Sequence, residues 1–274
     1  MARKPGANVP KPRKKAGTVP SVSGRQIDWT LIAAVVVVVG LVAGLAIYLV
    51  PKFNEKQANE KDDIAVESVS EFVPSPQNPD PSTDIPGVTK IYYEAAKHVT
   101  ADQRVAYDQS PPFGGPHDEI WATCTGVVYP NPLRSENAVH ALEHGSVWIT
   151  YNPDTVSPED LDYLKRLVRG EQYLFLSPYP GLDKPVSLQS WGHQLKVDSA
   201  TDPRVNQFIT ALRRNMMPGV YQENPQTAAY PETQATCTAI PGFDPSNPPA
   251  ADQGEPGPDA VRMDGGNANP MPAG

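Results

Sequence analysis

The chain has 274 residues and a formal net charge of −8, and its 32 prolines make up about 12% of it against a usual ~5%. Those prolines crowd into three stretches, which leaves one folded core of about 140 residues, large enough to bury an apolar interior. Cations cluster before residue 28 and acids dominate beyond residue 50, which argues against nucleic acid as a partner of the folded part.

Residues 1–28 contain Arg3, Lys4, Lys11, Arg13, Lys14, Lys15 and Arg25, with no acid before Asp28. They read as a disordered basic tail, suited to contact with anionic lipid headgroups. Trp29–Val50 then carries no charged side chain. As a helix it spans about 33 Å, enough for a hydrocarbon core of ~30 Å, with Trp29 and Tyr48 at the interfaces and Pro51 closing it. A signal-peptide core is shorter, about 7–15 residues, and ends in a small-residue cleavage site that is missing here. Lys52, Lys56 and Lys61 on the far side are mixed with Glu55, Glu60, Asp62 and Asp63. The positive-inside rule therefore predicts a single-pass protein of the cell membrane, its amino terminus cytoplasmic and the remainder extracytoplasmic.

Residues 51–86 read as a charged, proline-rich stalk, 87–240 as one globular domain, and 241–274 as a disordered acidic tail rich in Pro and Gly. Val88–Val99 is a short amphipathic piece, and QSPPFGGPHDE over 109–119 a stiff loop. Gly126–Tyr129 suits a short strand. Ser135 is placed to cap a helix from Glu136 to His144 that Gly145 ends, and Ser146–Tyr151 is β-rich.

Ser157-Pro158-Glu159-Asp160 opens the clearest helix, with Leu161, Leu164, Leu167 and Val168 on one face and Gly170 at its end. Strands follow at Tyr173–Leu176 and Val186–Trp191. Asp202-Pro203 starts a last helix that aligns Val205, Phe208, Ile209 and Leu212. The order predicts an α+β fold with a mixed sheet, thioredoxin-like in arrangement but without a CxxC motif.

Cys124 and Cys237 are the two cysteines, both on the expected outer side, where the simplest state is a disulfide. Three of the five histidines, His117, His140 and His144, fall within 28 residues. His140 and His144 are four apart, so a helix puts both imidazoles on one face, a spacing that suits two ligands of one metal ion. His117, on its stiff loop, is a third candidate ligand, and His98, Asp118 and Glu143 are further donors. The donor types suit copper or zinc.

His140-Ala141-Leu142-Glu143-His144 also matches the HxxEH zinc-hydrolase signature, in which Glu143 would be the catalytic base. Against that, the helix ends at once and no third-ligand helix follows. Trp121, Trp148 and Trp191 suit core packing better than glycan stacking. No GxSxG, Walker A or GxGxxG element is present.

HVTADQRVAYDQSPPFGGPHDEIWATCTGVV, ENAVHALEHGSVWITYNP and SWGHQL together resemble a family of actinobacterial envelope proteins defined by a domain of unknown function numbered 3105. The likeness covers residues 87–240. Its PPxxGPH and HxLEHG elements are carried here by Pro111, Pro112, Gly114, Gly115, Pro116 and His117, and by His140, Leu142, Glu143, His144 and Gly145. The resemblance implies a membrane-anchored extracytoplasmic domain and brings no activity with it. Three functions follow as expectations: a non-enzymatic metal-binding domain, an interaction or assembly module for a membrane or cell-wall complex, and a metal-dependent hydrolase.

Overall fold

The computed structural model describes residues 29–94, 97–251 and 256–265; the expected basic tail and the last nine residues lie outside them. Two compact units are present, residues 1–58 and 59–274. Helix α1 runs Trp29–Val69, and its stretch Ile32–Val50, of mean hydropathy 2.8, is long and apolar enough to cross a membrane. The helix does not stop at Pro51 but continues through residues where an extended stalk was expected. The sequence there, KFNEKQANEKDD, is rich in Glu, Lys, Gln and Ala, which favour helix when nothing else decides.

In the second unit, 3-10 turns at Ser70–Phe72 and Pro81–Asp84 lead into ten strands and three helices among the described residues. In chain order these are β1 (Thr89–Lys90), β2 (His98–Val99), β3 (Val105–Ala106), β4 (His117–Asp118), β5 (Thr125–Val128) and α2 (Ser135–Glu143). Then come β6 (Val147–Tyr151), α3 (Pro158–Val168), β7 (Leu174–Pro178), β8 (Val186–Ser190), β9 (His193–Val197), α4 (Pro203–Leu212) and β10 (Val261–Arg262). A mixed six-stranded sheet runs β1-β9-β8-β6-β7-β5. Strands β5, β7 and β6 are parallel, and β8, β9 and β1 alternate in direction beyond them.

Both faces of this sheet are covered, which is why VWITY and LFLSP read as nearly continuous β-formers rather than alternating ones. Val147, Ile149, Leu174 and Leu176 point to one face, under Leu164 and Val168 of α3 and Val205, Phe208 and Leu212 of α4. Trp148 and Phe175 point to the other, packing with Val139 and Leu142 of α2 and with Phe113 and Trp191. The caps form as the residue types require: Ser157 Oγ accepts from the Asp160 N–H at 3.0 Å, and Asp202 Oδ1 from the Arg204 N–H at 3.0 Å. Gly145 ends α2 at φ +82°, and a Cβ there would meet the Tyr230 ring at 2.5 Å, so both backbone and space call for glycine.

The domain is larger at both ends than residues 87–240. Phe72 and Ile85 are buried in the core under α4. Asp80 is buried too, with Lys90 Nζ at 2.5 Å, His193 Nε2 at 3.3 Å and the Ser82 hydroxyl donating at 2.5 Å. After residue 240, Phe243 is buried edge-on to Tyr129, and β10 pairs in parallel with β3. The described part of the expected tail is thus seated on the domain at Phe243, Ala260 and Val261, while most of residues 241–250 are exposed.

Cys124 and Cys237 are joined in a disulfide across 113 residues, and the Cys124 N–H donates to the Cys237 carbonyl at 3.0 Å. Closing a loop of that length stabilises by about 4–5 kcal/mol on the chain-entropy model. Replacing both cysteines by alanine should lower the unfolding free energy by about that amount, read from the urea midpoint at constant slope.

Asp80 gives a prediction in pH. Burial pushes its carboxyl up, but hydrogen bonding and charge from His193, then Lys90 and Ser82, more than offset this and hold it well below the usual carboxylate range. A depressed folded-state pKa stabilises fully above the unfolded value of ~3.9, and that stabilisation is lost as pH falls below it. Asp80→Asn should cost about 3 kcal/mol at pH 7 and remove part of the acid-limb slope in unfolding curves taken from pH 7 to pH 2.

Candidate metal centre

Strands β2 and β4 are short and pair in parallel, with His98 opposite His117 and Val99 opposite Asp118. Helix α2 packs against β4 and brings His140 and Glu143 to the same place. One ligand atom from each of His98, His117, His140 and Glu143 fits within 4.8 Å of every other. The ring centroids of His98 and His117 are 5.1 Å apart, those of His98 and His140 5.2 Å, and those of His117 and His140 4.6 Å. His117, His140 and Glu143 are buried, whereas His98 is exposed.

Each buried histidine commits one nitrogen to a backbone carbonyl. His117 Nδ1–H donates to the Gly115 carbonyl at 3.0 Å, and His140 Nδ1–H to that of Asp118 at 2.7 Å. His144 Nδ1–H donates to the Thr236 carbonyl at 2.7 Å. A carbonyl only accepts, so these bonds fix the tautomer and leave Nε2 with its lone pair turned inward, the second-shell arrangement typical of metal-bound imidazoles.

The consequence shows at His117. Its Nε2 lies 2.8 Å from Glu143 Oε2, yet this buried nitrogen has no partner in hydrogen-bond geometry. A buried imidazole nitrogen and a carboxylate oxygen are thus held close together outside hydrogen-bond geometry, an arrangement that a cation bound by both would satisfy. Two donors ~2.0–2.1 Å from one zinc ion at a tetrahedral angle are about 3.3 Å apart, so the His117–Glu143 pair would open by about 0.5 Å and the more distant donors, within 4.8 Å, would close by up to about 1.5 Å. Burial, then the neighbouring His117 and His144, pull the His140 imidazole down to about 3, which keeps it neutral and able to donate a lone pair at any physiological pH.

His144 takes a different partner from His140, although both lie on one side of α2. Its Nε2 is 3.0 Å from the carboxylate of Glu232, and His140, His144 and Glu232 form a second close group. Burial lowers the His144 pKa, while the Thr236 carbonyl and the Glu232 and Glu143 carboxylates oppose the shift. The side chain of Trp121, half-buried, stands edge-on to both imidazoles, with its centroid 4.7 Å from His144 and 5.5 Å from His140.

The candidate donors that sequence singled out thus divide. His98, His117, His140 and Glu143 converge. His144 shares His140 but turns to Glu232. The Asp118 carboxylate is instead bound to Arg134 in a short ion pair and accepts the Ile120 N–H at 2.8 Å, so it supports the site from behind. Arg134 also donates to the Gln103 carbonyl at 2.5 Å. Sequence reasoning had missed Glu232, Thr236 and Arg134. A pointer to the first two was present, since a Cys124–Cys237 bond brings residues 232–236 beside Trp121.

Taken together, fold and site define a mixed α/β domain behind an apolar amino-terminal helix, with a buried histidine–carboxylate cluster between one helix and two short strands. The chain belongs to the family described as protein of unknown function (DUF3105), whose family model it matches over residues 98–238. That span begins at the first converging histidine and ends one residue beyond the second cysteine. No curated protein and no solved structure matches the chain.

The Asp118–Arg134 pair is buried on both sides, so removing one partner strands the other. Arg134→Met should cost about 3–5 kcal/mol in urea unfolding, whereas Arg166→Met, on the exposed side of α3, should stay within about 0.5 kcal/mol.

Proposed function

We propose that this is a membrane-anchored protein whose outer domain binds one zinc or copper(II) ion through His98, His117, His140 and Glu143. The observation that carries the reading is the buried His117–Glu143 contact at 2.8 Å, with His117 Nε2 outside hydrogen-bond geometry and a ligand atom from each of His98, His117, His140 and Glu143 within 4.8 Å of the others. Three imidazoles and one carboxylate suit zinc or copper(II) better than magnesium or calcium, which take oxygen-rich shells. The single negative charge of Glu143 half-neutralises a divalent ion, and the carboxy-terminal end of α2, where His140 and Glu143 sit, adds a favourable dipole.

Three observations support the anchor and its direction: the apolar run Ile32–Val50, the seven cations before it, and the disulfide after it. The strand order β5-β7-β6-β8-β9, three parallel and two alternating, supports a thioredoxin-like arrangement in which α2 follows the first strand. The usual redox motif of that arrangement has no counterpart, because both cysteines are in the disulfide and 113 residues apart. A binding role fits better than hydrolysis: Glu143 is buried against His117, where it serves as a ligand rather than as a base over an open ion.

The test uses the full chain purified in detergent micelles and stripped with chelator. One equivalent of zinc should remain after dialysis against buffer, and copper(II) should quench Trp121 fluorescence. His140→Ala should weaken zinc binding by about 100-fold or more with the fold retained by circular dichroism. Absence of bound metal in the wild-type chain would overturn the reading.

A further inference from the structure

We propose that His140, His144 and Glu232 form a second, outer cation position that shares His140 with the inner one, so that the two positions are occupied alternately. The inference rests on the metal reading of the inner cluster, but its evidence is separate. His144 Nε2 is buried and lacks a hydrogen-bond partner, although the Glu232 carboxylate lies 3.0 Å away. This is the same juxtaposition of acceptors as His117 and Glu143, repeated about one imidazole further along the helix.

The geometry holding the outer position is as fixed as that of the inner. The Thr236 carbonyl orients His144, and the Glu232 N–H donates to the Glu143 carbonyl at 3.0 Å, which ties the Glu232 segment to the end of α2. The disulfide anchors the same segment five residues on. The difference lies in exposure and donor count. The Glu232 side chain is 45% exposed, while His144 is 1% exposed. The outer position thus has three protein donors and an open side for water, against four donors inside, so it binds more weakly and exchanges faster.

Sharing follows from the hydrogen bonds. His140 Nδ1–H is committed to the Asp118 carbonyl, so only Nε2 remains to coordinate. One lone pair serves one ion. An ion in the inner position leaves the outer with His144 and Glu232 alone, and an ion in the outer leaves the inner with three donors. The centroids of His140 and His144 are 4.8 Å apart, so an ion moves between positions by exchanging His144 and Glu232 for His117 and Glu143 while His140 stays bound. Zinc arriving from solvent on the Glu232 side therefore has a stepwise route inward.

The experiment is zinc titration of the full apo chain in micelles against a chromophoric chelator. Wild type should bind one ion tightly. His117→Ala, and independently Glu143→Gln in case the alanine disturbs packing, should each keep one ion at least about tenfold more weakly. Adding His144→Ala to either should abolish that residual binding. Loss of all zinc in both inner variants, or residual binding that survives His144→Ala, would overturn the outer position while leaving the inner one standing. If the wild-type chain binds no zinc, the inner reading fails, and the outer position fails with it.

Discussion

Three hydrogen bonds from histidine Nδ1–H groups to the carbonyls of Gly115, Asp118 and Thr236 set the character of this domain. A backbone carbonyl cannot titrate, rotate away or be replaced by a side-chain substitution, so each ring is held in one tautomer. What results is a buried group of imidazole Nε2 atoms, two of which face carboxylates. An ordinary core would avoid such a group, because buried polar atoms without partners cost about 1–3 kcal/mol each. A fold that holds several of them together concedes stability at one point, which is the usual signature of a site that meets a ligand.

The rest of the architecture can be understood as support for that concession. The two-sided sheet supplies the stability, with α3 and α4 on one face and α2 with its loops on the other. On the second face the packing is aromatic and specific: His117 stands edge-on to Trp191 at 5.9 Å, and Trp121 to both histidines of α2. Arg134 neutralises Asp118 immediately behind the site, which keeps a second buried carboxylate from competing with Glu143 for an ion. That leaves Glu143 facing His117 inside and Glu232 facing His144 at the rim.

Much of this was legible in sequence where local chemistry decides the outcome. The caps at Ser157 and Asp202, the apolar faces of α3 and α4, the central strands, the disulfide and the convergence of His117 with His140 all follow from residue type and spacing. The misses have a common cause. Strand β2, strand β4 and strand β10 are two residues long, so no periodicity marks them; pairing partners far away in sequence create them. For the same reason His98 looked peripheral, and Glu232 was invisible without first accepting the disulfide. Composition misled at both ends of the domain, because a proline-rich segment can still seat one apolar residue, Phe72 or Phe243, in the interior.

Disulfide and histidine–carboxylate cluster are best regarded as one construction. The chain from Glu232 to Thr238 contributes a carboxylate beside His144, the carbonyl that orients that ring, and the carbonyl that accepts the Trp121 indole N–H at 2.9 Å. It has no regular secondary structure of its own to hold it there. Its position comes from the Cys124–Cys237 bond and from backbone contacts on either side, the Cys124 N–H to Cys237 and the Glu232 N–H to Glu143. The oxidised state of the two cysteines completes this half of the site. The redox state of one cysteine pair and the donors that the cluster presents are therefore linked by one covalent bond.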